Sequence, residues 1–322
     1  MNKAIVTTTI NAPTEALKKF AAIATRDDWH LIIVGDKKTP HADYEDMVHK
    51  YECVTYLSPE DQEMMDKALS DAIGWNCIQR RNFGFIYAYQ NGAEIMATVD
   101  DDNIPNESWG KNLMVNKKSE YVLFKSAQEL FDPISVTHPH LWHRGFPIQL
   151  LSERKINNAG LKKRQVLVQA DMWDGDPDVD AVARITLAPE VKFNPSMLAF
   201  GSDKPGPFNS QNTFLSRKIF PDYFLFPHIG RMDDIWAAYY IQAFHPDSVV
   251  YNKATVFQKR NEHDLSKDLE NEIIGYKNSL NFATWCKDLA KLVKFKDFYE
   301  RWPDYIPNET IEAFRLYRQN FK

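Results

Sequence analysis

The sequence predicts an α/β protein whose first part is a nucleotide-binding type of half-sheet and whose last part is helical. Three observations predict it. The first hundred residues alternate strand-like and helix-like segments, the order that builds a parallel sheet. A short apolar run at Glu94 to Val99 ends in three consecutive carboxylates, Asp100, Asp101 and Asp102. From about residue 263 onward, charged amphipathic helical patterns dominate.

Taken in order, Lys3 to Thr9 is β-branched and strand-like. Asn11-Ala-Pro-Thr reads as a helix start, with Asn11 as N-cap and Pro13 in the first turn. Leu17, Phe20, Ala21 and Ala24 continue at helical spacing. Trp29 to Val34 is a second strand ending at Gly35-Asp36, which completes a βαβ unit with a right-handed crossover. Tyr51 to Leu57 is a third strand. Ser58-Pro59-Glu60-Asp61 has the form of a capping box. A helix is expected over Asn76 to Asn91, with Gly92 as its stop signal. The strand ending in the acidic triplet follows. Beyond Pro105, strands are expected at Tyr121 to Phe124 and Val166 to Ala170, and a helix at Asp233 to Phe244 with two acids in its first turn. The Pro- and Gly-bearing stretch Phe193 to Phe208 is expected to face the active site. The layout is one unit over 1–260 carrying the ligand site, with 261–322 as a helical extension of it.

Bulk numbers narrow the function classes. The chain has 322 residues, 44% hydrophobic and 13% aromatic, enough for a packed core. A net charge of −5 gives no sign of a general nucleic-acid or membrane-surface binder and leaves room for a local basic cleft that takes a phosphorylated ligand. Three widely spaced cysteines and no C-x-x-C argue against a disulfide scaffold or thiolate zinc site. No apolar run is long enough to span a bilayer and no signal peptide is evident, so a cytoplasmic protein is expected.

Several clusters carry chemistry. Three adjacent anions repel one another unless a cation sits among them, and hard ions prefer carboxylate oxygen. In an extended segment alternate side chains point the same way, so Asp100 and Asp102 could share one ion; the alternative is a solvated acidic turn. Neither G-x-G-x-x-G nor a P-loop is present. Arg80 and Arg81 in QRRNFG could neutralise phosphate with a planar fork, or could be a solvated basic face. In IGRMDDIW, Arg231 could reach phosphate. Asp233 and Asp234 could be capping residues, or one could act as general base toward an acceptor hydroxyl or stabilise a positive sugar carbon. The acidic stretch Asp174 to Asp180 fails the EF-hand pattern and is either a structural turn or a contact to sugar hydroxyls. His138, His140 and His143 match no zinc spacing and read as satisfied loop histidines.

A strand ending in an acidic triplet behind a helix bearing R-x-x-G resembles the GT-A class of nucleotide-sugar glycosyltransferases. TVDDDN at Thr98 to Asn103, RGFP at Arg144 to Pro147 and IGRMDDIWAAYYI at Ile229 to Ile241 resemble the plant reversibly glycosylated polypeptides, the UDP-arabinopyranose mutases. VGDKKTP at Val34 to Pro40, RRNFGFIYAYQNGA at Arg80 to Ala93 and DPDVDAVARIT at Asp176 to Thr186 resemble the STELLO family of Golgi glycosyltransferase-like proteins. The resemblance covers about Lys3 to Gly275. It implies a GT-A fold, a mixed sheet flanked by helices. It also implies a nucleotide-sugar donor, a UDP-sugar in the first instance, an unidentified glycan or other acceptor, and Mn²⁺ or Mg²⁺. Asp100 and Asp102 match the metal-binding acidic motif. The mutases carry a further His where this chain has Gln258, and His263 is the nearest substitute as third metal ligand. Arg81 matches an arginine of the R-x-F-G segment, and Thr8, Asp36, Arg80, Asp101 and Arg231 are the other expected donor contacts. Asp233, Asp234 and Arg144 are the implied catalytic residues, Arg144 matching the arginine that becomes glycosylated in the mutases. The resemblance leaves three readings: transferase, mutase acting through Arg144, or a non-catalytic scaffold that kept the fold.

Overall fold

A computed structural model describes residues 1–259, 264–292 and 302–322. The first half builds strands β1 (Lys3–Thr9), β2 (His30–Gly35), β3 (Val54–Leu57) and β4 (Ile95–Val99). The helices between them are α1 (Glu15–Asp27), α2 (His41–Lys50), α3 (Pro59–Met65), α4 (Lys67–Ile73) and α5 (Arg81–Gln90). The four strands are parallel in the order β3-β2-β1-β4. Burial on both faces explains their near-continuous apolar sequence. Helix α5 lies close on β1 and β2: a Cβ on Gly84 would stand 2.3 Å from Val6 and 2.9 Å from Val34. The Ser58–Asp61 capping box forms, and Gly92 follows α5 at φ +79.

Three boundaries in this half differ from expectation by more than one residue. Thr14, not Asn11, caps α1, because the Asn11 amide is drawn to Asp101. Helix α5 starts at Arg81 rather than Asn76. Asn76 is left-handed (φ 58), and the amides of Asn76 and Cys77 donate to Asp36, so residues 76–80 form a separate anchored segment ending in a 3₁₀ turn. Strand β3 begins at Val54, three residues after Tyr51.

The second half adds β5 (Asn103–Pro105), β6 (Lys118–Ser126), β7 (Ile156–Gln165), β8 (Val168–Gly175), α6 (Ala181–Leu187), β9 (Phe200–Ser202), β10 (Asn212–Ser216), α7 (Asp233–Phe244), β11 (Val249–Gln258), α8 (Leu265–Leu292) and α9 (Asn308–Gln319). They extend the sheet as β3-β2-β1-β4-β10-β8-β11-β9-β6-β7, with β5 paired to β11. Strand β10 runs antiparallel between β4 and β8, so the sheet is mixed. This antiparallel insertion matters. It brings the start of β10 to the same sheet edge as the ends of β2, β4, β8 and β11, and ligands bind at that edge in open α/β sheets. Helix α8 packs along α7, where Trp236 stacks on Phe282 at 4.6 Å. Helix α9 closes over α4, and one apolar cluster runs from β1 to α9. Among the described residues no helix is long and apolar enough to cross a membrane.

Candidate active site

The strand β4 ends in a turn rather than an extended segment, and the three acids part company there. Asp100 is held by Arg81 at 2.6 Å. Arg81 is 1% exposed and also donates to the Ser210 carbonyl (2.9 Å), the Ser210 hydroxyl (3.1 Å) and the Thr98 hydroxyl (3.2 Å). It is therefore a strut under the turn, not a phosphate contact facing the cavity as expected. Asp101 turns back to the β1–α1 loop, accepting from the Thr9 hydroxyl and the Asn11 amide. Asp100 and Asp102 both line one cavity of about 230 Å³.

Arg144, Asp233 and Asp234, expected to act together, meet in that same cavity. The Arg144 fork binds Asp178 at 2.7 and 2.9 Å and Asp234 at 3.1 and 3.2 Å, and it donates to the Arg231 carbonyl. Burial disfavours its charge, but Asp178 and Asp234 outweigh burial and raise its pKa above the usual guanidinium value. Gly145 permits this packing: it sits at φ +79, and a Cβ there would lie 2.2 Å from Ile235 of α7. Asp234 is further fixed by the Ser210 amide at 2.9 Å. Asp233 has a neutral partner instead, the Gln79 amide at 2.9 Å. Burial, then the Asp234 charge, push its carboxyl up to about 7.

A second cavity of about 230 Å³ adjoins the first, with Ile78 in the wall of both. Thr8, Asp36 and Asp101, three of the expected donor contacts, line it with Cys77 and Ile10. Asp36 is buried and accepts from the amides of Lys37 (2.6 Å), Asn76 (2.9 Å) and Cys77 (3.1 Å). Thr8 donates to the Val34 carbonyl at 2.8 Å.

Other expectations need correction. Arg80 lines neither cavity. It is fully buried, bound to Gln62, Ser70 and Gly74, and stacked 3.6 Å over Trp75; burial pulls its pKa down to about 10. Arg231 lines the cavity, yet its guanidinium is turned to Asp268 (3.0 Å) and Glu272 (2.9 Å) of α8. Segment 193–208 does not line the cavity; Ser210 and Gln211, just beyond it, do. His263 lies outside the described residues. His143 is buried against Trp173, its Nδ1 2.8 Å from the Arg144 carbonyl oxygen, as befits a structural histidine. The acidic stretch is divided: Asp178 pairs with Arg144 at the cavity while Asp180 caps α6. Asp178 belongs to the acidic stretch for which a sugar contact is one of the two readings, whereas Gln79, Ser210 and Gln211 are site residues that the sequence does not single out. The signal for Asp178 is the run of alternating aspartates; the other three carry none. Among the described residues no three His, Cys, Asp or Glu side chains converge as a metal cage. The oxygen donors at the turn are the Asp100 and Asp102 carboxylates, with the Gln211 and Gln258 amides (2.7 Å apart) beside them.

No family model matches the chain. Two Arabidopsis thaliana proteins do: "Probable glycosyltransferase STELLO2", 23% identical over 301 residues, covering 82% of this chain and 37% of that protein, and "Probable glycosyltransferase STELLO1", 25% identical over 242 residues, covering 68% and 30%. The chain is similar to the STELLO glycosyltransferases. It spans about a third of the length of these STELLO relatives. Among solved structures it is similar to a mycobacterial protein (TM-score 0.44, 12% identity, covering 88% of this chain and 74% of that one). It is also similar to the mannosyltransferase PcManGT from Pyrobaculum calidifontis in complex with GDP-Man and Mn²⁺ (TM-score 0.35, 11% identity, covering 99% and 86%). The expected STELLO resemblance and the mixed α/β sheet are both borne out.

Proposed function

We propose that this chain is a glycosyltransferase domain that binds a nucleoside-diphosphate sugar, a UDP-sugar in the first instance, and transfers the sugar to an acceptor hydroxyl. The observation that supports this is one cavity in which Asp100 and Asp102, at the end of β4, face Arg144, Asp233 and Asp234, with the Asp36 cavity beside it. Two hard carboxylates without a full protein cage fit an ion such as Mn²⁺ or Mg²⁺, which completes its shell with substrate phosphates. When bound at Asp100 and Asp102, that ion would neutralise the departing diphosphate. The base and ribose belong in the Asp36 cavity, where Ile10 and Ile78 supply apolar walls and Thr8 and Asp36 supply polar edges. Asp233 is the proton acceptor for the acceptor hydroxyl: its carboxyl lies in the cavity, is paired with an amide rather than a cation, and burial and the neighbouring Asp234 charge raise its pKa above the ordinary carboxylate range. Asp234 is committed to Arg144 and Ser210 and keeps the cavity wall in place.

Arg144 has a positioning role in this reading. Its use as a nucleophile in a mutase requires a neutral guanidinium, and two carboxylates hold it charged. Thermal denaturation with UDP or GDP, each with and without Mn²⁺, tests the proposal. The melting temperature of the wild-type protein rises with nucleotide plus metal, and Asp100→Ala with Asp102→Ala removes the metal-dependent part. If no nucleoside diphosphate shifts the wild type, and no nucleotide sugar is hydrolysed, the proposal fails.

A further inference from the structure

The segment between α4 and α5 runs between the two cavities and is bonded to a carboxylate in each. At one end, the Asn76 and Cys77 amides bind the two oxygens of Asp36 at 2.9 and 3.1 Å. Asn76 adopts φ 58 to place them, a left-handed conformation that asparagine tolerates. In the middle, Ile78 is 38% exposed and lines both cavities. At the other end, the buried Gln79 amide donates to Asp233 Oδ2 at 2.9 Å across 154 residues of chain. Arg80 anchors the segment from behind. Its hydrogen bonds to Gln62, Ser70 and Gly74 and its stack on Trp75 fix the C-terminal end of the segment to α3 and α4. Asn76, Cys77 and Ile78 supply one wall of the Asp36 cavity, and the residue after them in the chain holds Asp233 in the other.

We propose that Gln79 is the positioning residue for Asp233, and that residues 76–79 couple occupancy of the Asp36 cavity to the orientation of that carboxylate. This rests on the reading of Asp36 as the nucleoside side and Asp233 as the proton acceptor. The consequence is ordered use of the site: the base is set when the nucleotide is seated, which restrains proton transfer in an empty enzyme. The charged and titratable groups facing Asp233 are Asp234 on the same helix, Arg144 from the loop before β7, and the Tyr223 phenol; Asp100, Asp102, Asp178 and Arg231 line the same cavity.

The test uses the full chain labelled with ¹⁵N-glutamine. The Gln79 side-chain amide signal is assigned by its loss in Gln79→Leu. It is followed from pH 5 to pH 9 without ligand and with saturating UDP and Mg²⁺, and nucleotide binding is measured separately by calorimetry. The signal is expected to titrate in the wild type, to lose that titration in Asp233→Asn, and to move, with a changed midpoint, when UDP binds. A signal that does not titrate, or that titrates identically in Asp233→Asn, overturns the positioning role. A signal unmoved by UDP that calorimetry shows to be bound overturns the coupling alone. If neither UDP nor GDP binds, the nucleotide-sugar reading falls and the coupling with it, while the Asp233→Asn comparison still decides the role of Gln79.

Discussion

Two neighbouring aspartates on one helix have been given different tasks by their partners. Asp234 faces a cation and two donors from Ser210; Asp233 faces a neutral amide and the charge of Asp234. The difference has a pH signature. A carboxyl whose folded pKa is raised favours the folded state most below the ordinary aspartate value of about 4, and that contribution is lost as pH rises toward about 7. Asp233→Asn is therefore expected to leave stability at pH 4 nearly unchanged and to raise it at pH 8. Urea denaturation at the two pH values checks this, and a variant equally affected at both would contradict the assignment. Transfer activity is expected to rise through the same interval and to be lost in Asp233→Asn, as a pH–rate profile would show. Arg144 can be read in the same way. Arg144→Ala leaves Asp178 and Asp234 buried without their cation, a loss of about 3–5 kcal/mol. Arg144→Lys keeps a charge but not the fork, and recovers only part of it. A loss below about 1 kcal/mol would show that the clamp is not what holds the loop.

Close approaches of backbone set the elements around these residues. Helix α5 can press on β1 and β2 only because residue 84 has no side chain. Gly84→Ala improves helix propensity by up to about 1 kcal/mol. Even so, the methyl would collide with Val6 and Val34, so the net change is expected to be destabilising by about 1–3 kcal/mol, read from a urea midpoint. The displaced α5 would carry Arg81 away from Asp100, so metal-dependent nucleotide binding should weaken along with stability. A stable Gly84→Ala protein with unaltered binding would show that the helix has room to yield. Gly145 places the same demand on the loop that presents Arg144, with the added constraint of a left-handed backbone.

At the scale of the whole molecule, the site exists because the sheet is mixed. Strands β1, β2 and β4 deliver Thr8, Asp36 and Asp100 to one edge as parallel strands must. The antiparallel β10 then brings Ser210 and Gln211 to that edge, and β11 ends there with Gln258. A ligand spanning both cavities touches elements from both halves of the chain. Its binding should therefore stabilise the fold as one unit, by about 2.7 kcal/mol at a concentration one hundred times Kd. A single melting transition moving upward as a whole is the expected record. Two transitions, with only one responding to nucleotide and metal, would show that the halves melt independently.

The sequence by itself determined what depends on local pattern. Period and turn chemistry marked β1, β2, β4 and α7 almost to the residue, the Ser58–Asp61 cap, and the acidic strand end as the place to look for a site. It also carried the resemblance to the STELLO proteins. What it could not determine was which of two adjacent arginines supports the acids. Arg80 and Arg81 point about 100° apart around the helical start, and only the positions of α4 and β4 decide that Arg80 is buried behind the wall while Arg81 meets Asp100. The pairing of Arg144 with Asp178 and of Gln79 with Asp233 was equally hidden. Those partners are far apart in the chain, and it is the sheet order, with β10 inserted against the direction of its neighbours, that brings them within hydrogen-bond reach.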